Sequence, residues 1–164
     1  MSDEQSIQAN LLARFPALQD KVRITRPRRM WVEIDSEQFA EVFDYVVGPA
    51  NFSILCTITG LDEGEKMGLI YHLARTTGEV LNLHVRVPKD KPVVPSVMAR
   101  FPAAEAYERE VADLLGFQVQ GLPEGNRYPL PDDWPKGQFP LRKDWKVAML
   151  EEASEKKPTE VKDA

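Results

Sequence analysis

The chain has one cysteine, Cys56, and two histidines, His72 and His84, among 164 residues. A single cysteine excludes an internal disulfide, a cysteine-held iron-sulfur cluster and the usual multi-cysteine zinc site, and it fits a reducing cytosolic compartment. Two isolated imidazoles make no pair at metal-ligand spacing, and the nine glycines stand singly at turn-like positions, so a glycine-rich phosphate loop is missing. No apolar run approaches the roughly 20 residues that a bilayer-spanning helix requires. The start, with Asp3 and Glu4 ahead of Arg14, lacks the basic and then apolar stretches of a secretory signal. With 21 basic against 26 acidic side chains the net charge is -5, a poor balance for binding nucleic acid without sequence preference.

What remains is the composition of a soluble globular protein, 43% hydrophobic and 29% charged, and of a size that hides roughly 70% of its unfolded surface on folding. Leu11, Leu12 and Phe15 share one helical face ahead of Pro16, which predicts a short amphipathic helix over Gln8 to Phe15. From Lys21 to Ile34 the period changes to two, with Met30, Val32 and Ile34 facing one way, Trp31 and Glu33 the other, and Pro27 at a turn. That predicts a hairpin, and its tip is basic, because Lys21, Arg23, Arg26, Arg28 and Arg29 fall within nine residues that contain no acid. Asp35 and Gln38 form a capping box, with Ile34 and Phe39 as the hydrophobic staple, and open a helix striped by Phe39, Val42, Phe43, Val46 and Val47. Gly48, in a left-handed exit, and Pro49 end it.

Three alternating runs follow, Phe52 to Ile58, Met67 to Leu73 and Leu81 to Val87, joined by short turns, and these predict an antiparallel meander. Cys56 shares the phase of Phe52, Ile54 and Ile58 and reads as a small core residue; His72 and His84 read as ordinary strand residues. Pro88, Pro92 and Pro95 make a stiff link to a last helix, Ala103 to Leu115, striped by Tyr107, Val111, Leu114 and Leu115 and stopped by Gly116. The expected fold is a two-layer α+β domain over residues 1–116, an antiparallel or mixed sheet of about five strands covered by helices. Residues 117–146 are expected to be an extended, proline-rich arm, with five prolines between Pro123 and Pro140, and residues 147–164 a charged, disordered tail.

Two groups of residues stand out. Glu108, Arg109, Glu110 and Asp113 lie together on the last helix, where pairs four apart lace a solvated face. The arm carries Trp134, Phe139 and Trp145 with Arg142 and Lys143, which suits aromatic anchors and charges that meet another protein. So long an irregular segment in a small domain is usually functional.

The run Tyr107-Glu108-Arg109-Glu110-Val111-Ala112-Asp113-Leu114-Leu115-Gly116-Phe117, followed by Gly121, Pro123, Arg127 and Pro140-Leu141-Arg142-Lys143-Asp144, resembles the signature of the thirty-kilodalton subunit family of respiratory complex I, the C subunit of bacterial NADH:quinone oxidoreductase. The resemblance covers about residues 1–146 and implies an α+β subunit with no catalytic site, metal or cofactor of its own. It implies a place on the cytoplasmic face of the cell membrane, peripheral to it and reaching it only through the complex. The partners it implies are the large subunit, which carries the quinone or nickel-iron site, and the small iron-sulfur subunits; nucleic acid is not among them. The docking residues expected are Arg127, Pro140, Leu141, Arg142, Lys143 and Asp144 with the aromatics Trp134, Phe139 and Trp145, which hold the large subunit, while Glu108, Arg109, Glu110 and Asp113 anchor the start of the arm or meet the partner.

Leu122, Asn126-Arg127 and Gln138-Phe139 depart from the usual complex I pattern, and the segment Leu130 to Gly137 looks like the version in membrane-bound, energy-converting nickel-iron hydrogenases and formate hydrogenlyase. The hydrogenase branch is therefore the expectation, with the C subunit of NADH dehydrogenase as the alternative. Two remoter readings remain: a small enzyme using Glu108, Glu110 and Asp113 as acid and base, and a nucleic-acid module resting on Lys21 to Arg29.

Overall fold

The computed structural model describes residues 3–150 of the chain. It is an α+β fold, as expected, in the order α1 (Asp3–Arg14), β1 (Val22–Arg26), β2 (Arg29–Asp35), α2 (Phe39–Val47), β3 (Ile54–Asp62), β4 (Lys66–Ala74), β5 (Val80–Pro88), β6 (Val93–Pro95), α3 (Ala104–Leu115) and β7 (Gln118–Gln120). Five strands form one sheet in the order β1-β2-β5-β4-β3. The hairpin β1-β2 and the meander β3-β4-β5 are antiparallel, and β2 beside β5 is the one parallel pairing in this sheet, so the sheet is mixed. α2 and the strands beyond it are the long connection that a parallel neighbour requires.

Alternation decides which side is covered. Met30, Val32 and Ile34 of β2, Met67, Leu69, Tyr71 and Leu73 of β4, and Leu81, Leu83, Val85 and Val87 of β5 form one core with Ile7 and Leu11 of α1, Phe39, Val42, Phe43 and Val46 of α2, and Val111 and Leu115 of α3. The Tyr71 ring lies 5.0 Å from Phe39 and 5.6 Å from Phe43, centroid to centroid. The opposite phase carries Arg23, Trp31, Glu33, Asn82, His84 and Arg86, with Arg86 bridging Glu33 (2.9 Å) and Glu63 (2.7 Å). His72 sits between Thr59 (2.9 Å) and Asn82 (2.7 Å), and His84 is buried 3.3 Å from Glu63 with Trp31 edge-on.

Several expectations need correction. Cys56 is exposed and Ile54 is 43% exposed, because a β-bulge between Leu55 and Thr57 shifts the phase of β3. Leu55 and Ile58, rather than Cys56 and Ile58, therefore turn inward. A second register shift falls in β1 between Ile24 and Arg26. After Asp35 the first turn, Ser36–Gln38, is 3-10 helix and the α-helix starts at Phe39; the Asp35 amide donates to Gln38 Oε1 at 3.4 Å. Gly48 leaves α2 at φ -84°, and the left-handed residue is Asn51, three positions on. The proline link and the start of the arm pair as a two-stranded parallel ribbon, β6 with β7, which alternation did not announce.

Candidate docking site

Gly116 ends α3 in the left-handed region at φ 77°, where a side chain is strained and none would fit, since an added Cβ would lie 2.6 Å from Phe139. A helix end leaves its last carbonyls without partners. Here the arm supplies them: the Leu141 amide donates to Leu114 O (3.0 Å), and Arg142 Nε donates to Leu115 O (2.7 Å) while its guanidinium lies 4.7 Å over the Phe139 ring. A cation at a helix C-terminus is also favoured by the helix dipole.

Earlier in the arm, Arg127 joins α3 to the aromatics. Its Nε meets Asp113 Oδ1 at 3.1 Å and its Nη1 donates to Trp134 O at 2.8 Å. Trp134 and Trp145 both donate to Gln138, to its backbone oxygen (2.9 Å) and its side-chain oxygen (2.8 Å), with their rings 6.3 Å apart. At the base Arg109 donates to Glu105 Oε1 and Pro123 O, each at 2.9 Å, and Gly125 comes so close that a Cβ there would meet Nη2 at 2.6 Å. An open groove of about 610 Å³ lies beside this base, lined by Pro102, Ala106, Arg109, Gly125, Arg127 and Tyr128 among others.

The third anchor is Asp62, a carboxylate on the buried phase of β3. It accepts from Lys89 Nζ (2.8 Å), Gly64 N (2.9 Å) and Lys143 N (2.9 Å), and Lys89 also reaches Asp144 Oδ2 at 3.3 Å. Burial alone would raise the Asp62 carboxyl, but these hydrogen bonds, that from Lys89 first, outweigh it and bring it down to about 2.

The predicted residues therefore divide into two groups. Arg109, Asp113, Arg127, Phe139 and Arg142 tie the arm to its own domain, while Trp134 and Trp145 are held within the arm by Gln138 and Arg127. Glu110, Leu141 (58% exposed), Lys143 and Asp144 are exposed, and Pro140 is half-buried between the two groups. Glu108 belongs to neither. It lies on the buried stripe Ala104, Glu108, Val111, Leu115, where it accepts from Ser96 Oγ and Val97 N, both at 2.7 Å; burial pushes its carboxyl up against those two bonds. Of the expected stripe, Tyr107 and Leu114 are only half-buried. The four-apart lacing is one pair, Arg109 with Glu105, rather than a ladder through Asp113. Sequence pattern did not mark Asp62, Lys89 and Gln138, although the phase Ile58, Gly60, Asp62 signals a charge directed to a covered face.

The acid and base centre that the sequence allows is not assembled, because Glu108 faces Ser96 and Val97, Asp113 faces Arg127 and Glu110 is exposed. Of the basic run, Lys21 is paired with Asp35 and Arg23 with Glu33. Among the described residues no three His, Cys, Asp or Glu side chains are grouped to hold a metal ion, and no helix is long and apolar enough to cross a membrane.

Residues 32–150 match the family described as respiratory-chain NADH dehydrogenase, 30 Kd subunit. The chain belongs to that family. Among relatives of this 30 Kd subunit family, the C subunit of F(420)H(2) dehydrogenase from Methanosarcina mazei is 34% identical over 146 residues, which are 87% of this chain and 92% of the relative. Membrane-bound hydrogenase subunit beta of Pyrococcus furiosus is 31% identical over 157 residues, 89% of this chain and 88% of the relative. A chain in the structure of the membrane-bound sulfane sulfur reductase, an archaeal respiratory membrane complex, superposes with a TM-score of 0.78 at 26% identity, covering 99% of this chain and 96% of that one.

Proposed function

We propose that this chain is a non-catalytic peripheral subunit of a membrane-associated oxidoreductase complex, and that it docks through the outer surface of its arm to the large subunit and its iron-sulfur neighbours. The observation that carries this reading is the placement of exposed apolar side chains. Among the described residues five large ones are exposed, and three of them, Leu141 (58%), Val147 (61%) and Met149 (41%), fall within nine residues of the arm and its continuation. Lys143 and Lys146 are exposed among them. Apolar side chains interleaved with cations suit a partner surface that is apolar and acidic.

Residues 147–150 include the start of a further helical turn, so Val147 and Met149 stand on formed backbone; beyond 150 the expected charged tail lies outside the described residues. The mechanism is positional. Electron transfer slackens steeply with distance between centres, so a subunit without a redox group still matters by fixing those that have one. The energy-converting hydrogenase branch is favoured over NADH:quinone oxidoreductase by the segment Leu130 to Gly137, and the Pyrococcus furiosus relative, matched over most of its length, carries a hydrogenase name. In this reading the quinone or nickel-iron site and the iron-sulfur clusters belong to partner chains, and the membrane is reached only through them.

The test uses outward residues alone. Leu141→Asp combined with Lys143→Glu in the assembled complex is expected to strip the large subunit during purification, since a buried leucine anchor is worth about 1.5–3 kcal/mol. Undiminished retention would overturn the docking role.

A further inference from the structure

Asp62 does more than close its own turn. The side chain is 1% exposed, and the local need, the Gly64 amide, takes only Oδ1 (2.9 Å). Oδ2 receives Lys89 Nζ at 2.8 Å and, from 81 positions along the chain, the Lys143 amide at 2.9 Å. Lys89 then spans to Asp144 at 3.3 Å. One buried oxygen thus joins the end of β3, the residue after β5 and the very segment whose side chains face outward. Gly116 and Arg142 hold the preceding residues, and Asp62 together with Lys89 links Lys143 and Asp144 to the sheet.

We infer that Asp62 and Lys89 form a clasp that sets Lys143 to Lys146 in the docking posture, beside Leu141, before any partner arrives. The pair positions the contact residues rather than touching the partner. This rests on the docking reading above and deepens it. Its physical sense is that ordering the segment is settled during folding rather than charged against binding.

Limited trypsin digestion of the full chain tests the clasp without a partner. In Asp62→Ala, cleavage after Lys143 and Lys146 is expected to speed up about tenfold, the scale of losing a hydrogen bond to a charged group, while cleavage after Arg28 in the hairpin turn stays unchanged. Asp62→Asn should fall between, since its amide oxygen still accepts from Lys143 but has no charge toward Lys89. Equal acceleration at Arg28 would mean general loosening and would overturn the clasp, as would no acceleration at Lys143 and Lys146. In the reconstituted complex Asp62→Ala is expected to weaken retention about tenfold. A freed arm with normal retention would remove the positioning role and leave docking intact. Leu141→Asp separates the two ideas, because it should weaken retention at unchanged digestion rates, and normal retention there would sink docking itself.

Discussion

The sheet core and the arm are held by different forces. Inside the core, Leu83, Leu81, Leu73 and Met67 are fully buried among other apolar side chains, and no hydrogen bond from those side chains specifies which neighbour they meet. Past Gly121 the arm's attachments are mostly directional: Arg109 to Pro123 O, Arg127 to Asp113, Arg142 to Leu115 O, Lys143 N to Asp62. Burial adds up over many contacts and fails all at once, whereas a handful of hydrogen bonds can open segment by segment. The core is thereby held by burial and the later arm by a few specific bonds.

The most severe probe of that separation is Leu83→Ala, which should cost about 2–5 kcal/mol and lower the urea midpoint of the whole protein. Arg142→Ala should cost roughly 1.5–3 kcal/mol, but locally: hydrogen exchange quickens at the Leu141 amide, and the global midpoint barely moves. If Arg142→Ala lowered the midpoint as far as Leu83→Ala, the division between the two regions would collapse. Gly116→Ala belongs between them in kind. Its left-handed backbone costs about 1–2 kcal/mol and the new methyl displaces Phe139, so both the helix end and the arm should loosen.

Much of this was legible in the sequence, and what was not has identifiable causes. Strands β4 and β5 followed their alternation because neither carries a bulge, and the hairpin turn was marked by Pro27. β3 misled through one extra residue, which reverses inside and outside without altering composition, so Cys56 read as core. Glu108 misled because a carboxylate on a stripe looks like a break in it until its partners, Ser96 and Val97, are known from the fold. The arm's aromatics and cations were conspicuous as a motif, yet a motif does not say whether it faces its own domain or another, and Arg142, Arg127 and Phe139 are attached to their own.

Acid should also distinguish the two regions. His84 is held below its ordinary 6.5, first by burial and then by Arg86, so its share of stability is complete above 6.5 and drains away as pH falls through its folded value. Asp62, lowered from 3.8 to about 2, contributes fully above 3.8 and loses that contribution only as pH drops toward 2. A pH series of thermal melts beside hydrogen exchange at the Lys143 amide should therefore show the sheet weakening first and the arm still protected at pH 4, near the ordinary carboxyl value. Arm release at pH 6 would contradict this.

Glu108, raised by burial, has the opposite sign: its contribution is complete below 4.5 and lost as pH climbs through the folded value. Glu108→Gln keeps an acceptor for the Val97 amide and removes the buried charge. At neutral pH it should leave the melting temperature the same or slightly higher, the smallest change of the series.

Both bulges of the sheet fall on its outermost strands, between Ile24 and Arg26 on one side and Leu55 and Thr57 on the other. A kinked border offers no straight row of amides and carbonyls for a second copy to zip onto. A newly made chain that must wait for its companions is thereby spared from polymerising with its siblings in the interval.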